Sequence, residues 1–65
     1  MADHIPVKGQ SVEFANGHNQ TIIRVDAELD QEIVWLKRRF PTDPEWCFSE
    51  DLIWLGEEKR WLHAR

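Results

Sequence analysis

Hydrophobic and polar residues alternate from Ser11 to Phe14, with Val12 and Phe14 set between Ser11 and Glu13. A period of two marks one face of a β-strand. Asn16-Gly17 follows, a dipeptide suited to the positive φ of a tight turn. Thr21-Ile22-Ile23-Arg24-Val25 is then rich in the β-branched residues that favour strands. The pattern predicts a β-hairpin over residues 11–26. After it the rhythm changes. Leu29, Ile33, Leu36 and Phe40 are spaced by four, three and four, which gathers them on one side of a helix. Asp26 can cap its start, Glu28, Asp30 and Glu32 place acids early, and Lys37, Arg38 and Arg39 place bases late, an order that complements the helix dipole. Pro41 stops it. An amphipathic helix is expected from about Ala27 to Phe40.

Beyond Pro41 two continuations compete. Asp43-Pro44-Glu45 resembles a helix start, and a long helix over residues 44–64 follows from it. In such a helix Phe48, Leu52, Leu55 and Leu62 share a side, but Trp54 and Trp61 point away and Gly56 falls in the interior. The other continuation is a second hairpin, with strands at Leu52–Leu55 and Trp61–His63 around the polar block Gly56-Glu57-Glu58-Lys59, where glycine supplies any positive φ. The hairpin is preferred. The expected fold is therefore α+β, a single small ββαββ domain over residues 11–65 behind a flexible arm at 1–10; the alternative is ββαα.

Size sharpens this picture. A chain of 65 residues buries only about 60% of its unfolded surface, so its core needs heavy residues or a partner. Four tryptophans and three phenylalanines supply the first, and assembly as a homodimer is another route. Cys47 is the only cysteine, which excludes an internal disulfide and suits a reducing, cytoplasmic setting. The longest apolar run, Leu52-Ile53-Trp54-Leu55, falls far short of the ~20 residues of a membrane helix, and no membrane association is expected. The net charge of −4 counts against a nucleic-acid partner without excluding a local basic face.

No catalytic constellation is visible. Cys47 lies between Trp46 and Phe48, surroundings that suppress a thiolate. Ser11 and Ser49 lack a nucleophile elbow. No glycine-rich phosphate loop is present. His4, His18, His63 and Cys47 form no short-range ligand pair. No enzyme, cofactor or metal is expected. Recognition surfaces are the better candidates. On the expected helix Trp35 and Val34 lie off the core stripe, and with Arg38 and Arg39 they make the first contact patch, tryptophan and arginine being common interface anchors. Asp43, Glu45, Glu50 and Asp51 form an acidic stretch without bases, able to meet a basic partner or simply to stay solvated. The reading that follows is a small acidic protein-binding module, acting as inhibitor, adaptor or regulatory subunit.

A second reading comes from a partial likeness. Thr21-Ile22-Ile23-Arg24-Val25-Asp26-Ala27-Glu28-Leu29, with Ile33 and Leu36 beyond, resembles the opening of ribbon-helix-helix DNA-binding proteins. In that family paired strands of a dimer enter the major groove and a helix follows. The resemblance implies a dimeric transcriptional regulator whose 21–26 strand presents Ile22, Arg24 and Asp26 to DNA. Arg24 suits that place; Ile22 and Asp26 do not. Pro41-Thr42-Asp43-Pro44 stands where the family has its glycine turn and second helix.

Overall fold

The structure is a computed structural model that describes residues 5–64. Six strands follow one another: β1 (Ser11–Glu13), β2 (Asn19–Glu28), β3 (Gln31–Leu36), β4 (Trp46–Phe48), β5 (Leu52–Leu55) and β6 (Arg60–His63). A 3-10 turn, Ser49–Asp51, links β4 to β5. The sheet order is β4-β3-β2-β1-β6-β5, antiparallel except where β1 runs parallel to β6.

That order dictates the shape. In a flat sheet of six strands the outer two, β4 and β5, lie about 24 Å apart. From Phe48 to Leu52 the chain reaches at most about 14 Å. The sheet therefore curls on itself, an incompletely closed barrel, since β4 and β5 share no ladder among the described residues. Its long strand, β2, takes most of the bend. The first part of β2 pairs with β1 and the rest with β3, and the register slips between Ile22 and Arg24, leaving Ile23 as a bulge. Each strand sends a side chain inward: Val12, Ile22, Val34 and Leu36, Cys47, Leu52 and Trp61 meet in one core, with Phe14 beside them. Trp54 packs edge-on against Trp61, ring centroids 5.1 Å apart.

The expected helix over Ala27–Phe40 is not formed, and neither the ββαββ nor the ββαα arrangement is present. Ala27 and Glu28 end β2, Leu29-Asp30 is a two-residue turn, and Gln31–Leu36 is β3. Leu29, placed on the apolar stripe by helical spacing, is fully exposed at the hairpin tip with φ 54°. Inward Val34 and Leu36 alternate with outward Ile33 and Trp35. With apolar residues on both faces, β3 shows no period of two in hydropathy, and the good helix formers around it suggest the wrong element. The ribbon-helix-helix likeness ends here too, because no helix follows the 21–26 strand and Ile22 is a wholly buried core residue.

Strands do stand at the two hairpin segments, 11–26 and 52–63. Gly17 takes a positive φ, and the Asn16 side chain accepts the His18 N–H at 2.9 Å. In the last hairpin Lys59 rather than Gly56 adopts φ 54°. Of the arm expected over 1–10, residues 1–4 lie outside the described residues. Val7 to Gln10 form a turn tied to β2, where Gly9 N–H donates to the Ile22 carbonyl and Ile22 N–H to that of Gln10, both at 2.8 Å.

Cys47 sits in this core, where burial foremost and the charge of Asp51 next push its thiol from 9.0 up to about 11. At pH 8 roughly one thiol in a thousand is then ionised. A thiol-specific reagent is expected to label the native chain far more slowly than the denatured one. Equal rates would show that Cys47 does not belong to the core.

A candidate site of a basic groove beside an aromatic face

The core leaves the other face of β2, β3 and β4 to the outside. The registers align two rows across it: Arg24, Trp35 and Trp46, then Asp26, Ile33 and Phe48. With Ile23 from the bulge, this surface is rich in large apolar groups. Ile23 is 47% exposed and Trp46 43%, and Ile33, Trp35 and Phe48 are half-buried. Trp46 meets Phe48 edge-on at 4.9 Å between centroids. Trp35 is held from two sides. Its indole N–H donates to Asp26 Oδ2 at 3.1 Å, and the Arg24 guanidinium lies 5.1 Å from the ring centroid while its Nε contacts the same carboxylate oxygen at 2.9 Å. A cation over an aromatic face adds attraction, so the ring is fixed before any partner arrives.

Next to this face, Ser11, Asn19, Thr21, Lys37, Arg38 and Arg39 line a groove of about 600 Å³. Two of the other basic side chains are neutralised: Arg24 pairs with Asp26, and Arg60 with Glu13 and Glu58. The side chains of Lys37, Arg38 and Arg39 are exposed and meet no carboxylate within ion-pair distance among the described residues.

These cations lie on the connection over residues 37–45, which buried polar groups clamp to the barrel. Asp43, only 3% exposed, accepts the backbone N–H groups of Arg39 and Phe40, each at 3.0 Å, through one carboxylate oxygen. Its other oxygen is 3.0 Å from His18 Nδ1. A carboxylate only accepts, so that nitrogen carries the hydrogen. The His18 ring rests against Phe40, centroids 4.7 Å apart. Gln20, buried on β2, donates its amide to the Pro44 carbonyl at 2.8 Å and the Lys37 carbonyl at 3.4 Å. The His18 hydrogen bond first, then the two backbone N–H groups, hold Asp43 below the ordinary value of 3.8, against the opposing effect of burial.

The residues singled out from sequence are thus redistributed. Trp35 does stand outward, and Arg38 and Arg39 are exposed. Val34 is wholly buried in the core and has no surface to offer. Asp43 leaves the acidic stretch to become a buried cap. Glu45 is exposed just before β4, and Glu50 lies with Asp30 and Glu32 about a small recess near the β2–β3 turn. Arg24 is exposed but paired with Asp26. Sequence reading passed over Trp46, Phe48, Ile33 and Ile23 on the face, and Lys37, Ser11, Asn19 and Thr21 in the groove. Trp46-Cys47-Phe48 carried a usable signal, two aromatics one residue apart. Among the described residues no three of His, Cys, Asp and Glu converge as a metal site would require. No helix among the described residues is long and apolar enough to cross a membrane. Comparison of the chain with protein-family models, curated proteins and solved structures gives no match.

Proposed function

We propose that this chain is a non-enzymatic protein-binding module that docks through the outward face of β2, β3 and β4. One observation supports the reading above others: Ile23, Ile33, Trp35, Trp46 and Phe48 form a continuous patch on the outward face of the sheet. Scattered apolar residues are normal on surfaces, whereas contiguous ones mark contacts. Tryptophan beside arginine is the composition of interface hot spots, and a pinned ring such as Trp35 loses little freedom on binding. A partner's apolar side chains would fill the hollow between Ile23, Arg24 and Trp35.

The test compares affinity capture by the native chain with capture by Trp46→Ala and Ile23→Ser. Neither side chain belongs to the buried core, so the barrel is expected to persist, and circular dichroism checks that it does. A partner held by this face should bind Trp46→Ala about 2 kcal/mol more weakly, close to thirtyfold. Proteins captured equally by the native chain and both variants would remove the face from consideration.

A further inference from the structure

We propose that the groove lined by Ser11, Asn19, Thr21, Lys37, Arg38 and Arg39 binds the sugar–phosphate backbone of a single-stranded nucleic acid. The inference goes beyond the protein-docking face and rests on different side chains. Three features carry it. The first is uncompensated charge: in a chain of net charge −4, three successive cations stand clear of every described carboxylate at ion-pair distance while Arg24 and Arg60 are neutralised. Cations left without partners around a concavity favour an anionic occupant.

The second is the rest of the lining. Ser11, Thr21 and Asn19 add two hydroxyls and an amide to the cations. Hydroxyl, amide, lysine and arginine groups are the side chains that contact phosphate oxygens. The third is the clamp beneath. Asp43, His18 and Gln20 are all engaged in fixing the segment that bears the cations, so the groove is held open without a ligand. Such pre-organisation lowers the ordering cost of binding.

Geometry selects a single strand over a duplex. The hairpin that contains the longest strand, β2–β3, carries Glu28, Asp30 and Glu32 around its turn. Those carboxylates repel phosphates, so the ribbon is unsuited to a major groove. The basic surface is instead a groove, the form that tracks one backbone.

The experiment is fluorescence anisotropy of the full chain with labelled oligo-dT and oligo-U of twenty nucleotides, over a salt series. Three phosphate contacts on a single strand give a slope of log affinity against log salt near −2, so affinity should fall about twentyfold between 50 and 200 mM salt. The Lys37→Gln/Arg38→Gln/Arg39→Gln variant should lose at least about tenfold in affinity, and Arg38→Gln alone should make the slope shallower by about 0.7. Lys59→Gln, at the exposed β5–β6 turn, should bind as the native chain does. Circular dichroism verifies that each variant is folded. Absence of binding at 50 mM salt overturns the proposal. So does equal affinity for duplex DNA, or for polyglutamate, which would make the groove a site for acidic protein. The Trp46 and Ile23 variants leave the groove intact, so failure here is separable from failure of the docking face.

Discussion

Trp61→Ala is expected to leave the chain largely unfolded at 25 °C. Trp61 is 3% exposed, stands opposite Val12 across the parallel β1–β6 pairing, and packs on Trp54. Its indole N–H donates to Gln10 Oε1 at 2.9 Å, and that oxygen also accepts the Val7 N–H, so one side chain links β6 to the Val7–Gln10 turn. Truncating a buried tryptophan to alanine costs about 3–5 kcal/mol. A domain this small stands near or below the lower end of the usual range of about 5–15 kcal/mol. The loss is therefore comparable with the whole stability. Trp61→Phe keeps most of the packing and gives up the hydrogen bond, at about 1 kcal/mol beyond the volume lost, and should stay folded. Urea unfolding followed by far-ultraviolet circular dichroism checks both. A cooperative Trp61→Ala transition with a midpoint near that of the native chain would mean that the core is not organised around this ring.

The contrast among the tryptophans shows what local pattern conveys. Trp61 and Leu52 are legible as strand residues because a polar tetrad separates two short apolar runs, and β5 and β6 do form there. Asn16-Gly17 is legible for a backbone reason, since Gly17 adopts φ 85°. The segment from Ala27 to Phe40 misleads for a non-local one. Only one of its two ladder partners is near: β2 is reached through the glycine-free Leu29-Asp30 turn, whereas β4 lies beyond a connection of nine residues with two prolines, so part of what stabilises β3 is far away in sequence. The charge order that suits a helix dipole has another origin here. Acids gather at the turn of the β2–β3 hairpin and bases at its open end, which separates them into opposite poles of one ribbon.

The candidate site is legible to the same degree. Trp35, Arg38 and Arg39 were reachable as aromatic and basic groups without an obvious core role, although the face they share with Trp46 exists only once β3 meets β4. Lys37 looked like one more base in a helix end. Asp43 was the hardest to place. In sequence it is one of four acids in a row of charges; in the fold its buried carboxylate satisfies two backbone N–H groups and a histidine. Its place before Pro44 marks it locally as a capping residue, but for a helix that is not formed; nothing local shows that it caps Arg39 and Phe40 instead.

Asp43 accordingly yields the second large effect. Asp43→Ala removes the acceptor for Arg39 N–H, Phe40 N–H and His18 Nδ1–H together. Leaving these partly buried donors unpaired adds a desolvation cost to the hydrogen bonds lost. Thermal stability should fall well beyond that of Glu45→Ala, an exposed acid two residues away. Groove binding should weaken as well, although no cation has been altered, because residues 37–45 lose their clamp. The sign of the pH dependence follows from the lowered Asp43 value. A carboxyl depressed in the folded state stabilises it at pH above the unfolded value, and that contribution disappears as pH falls through the folded one. Acidification below about 3.8 should therefore destabilise the native chain progressively, and the Asp43→Asn variant should lack that part of the profile. Thermal unfolding of both proteins from pH 7 down to pH 2 measures this. Parallel profiles would place Asp43 outside the clamp. A destabilised Asp43→Asn chain that still binds oligonucleotide as the native one does would show that the cations hold their places without it.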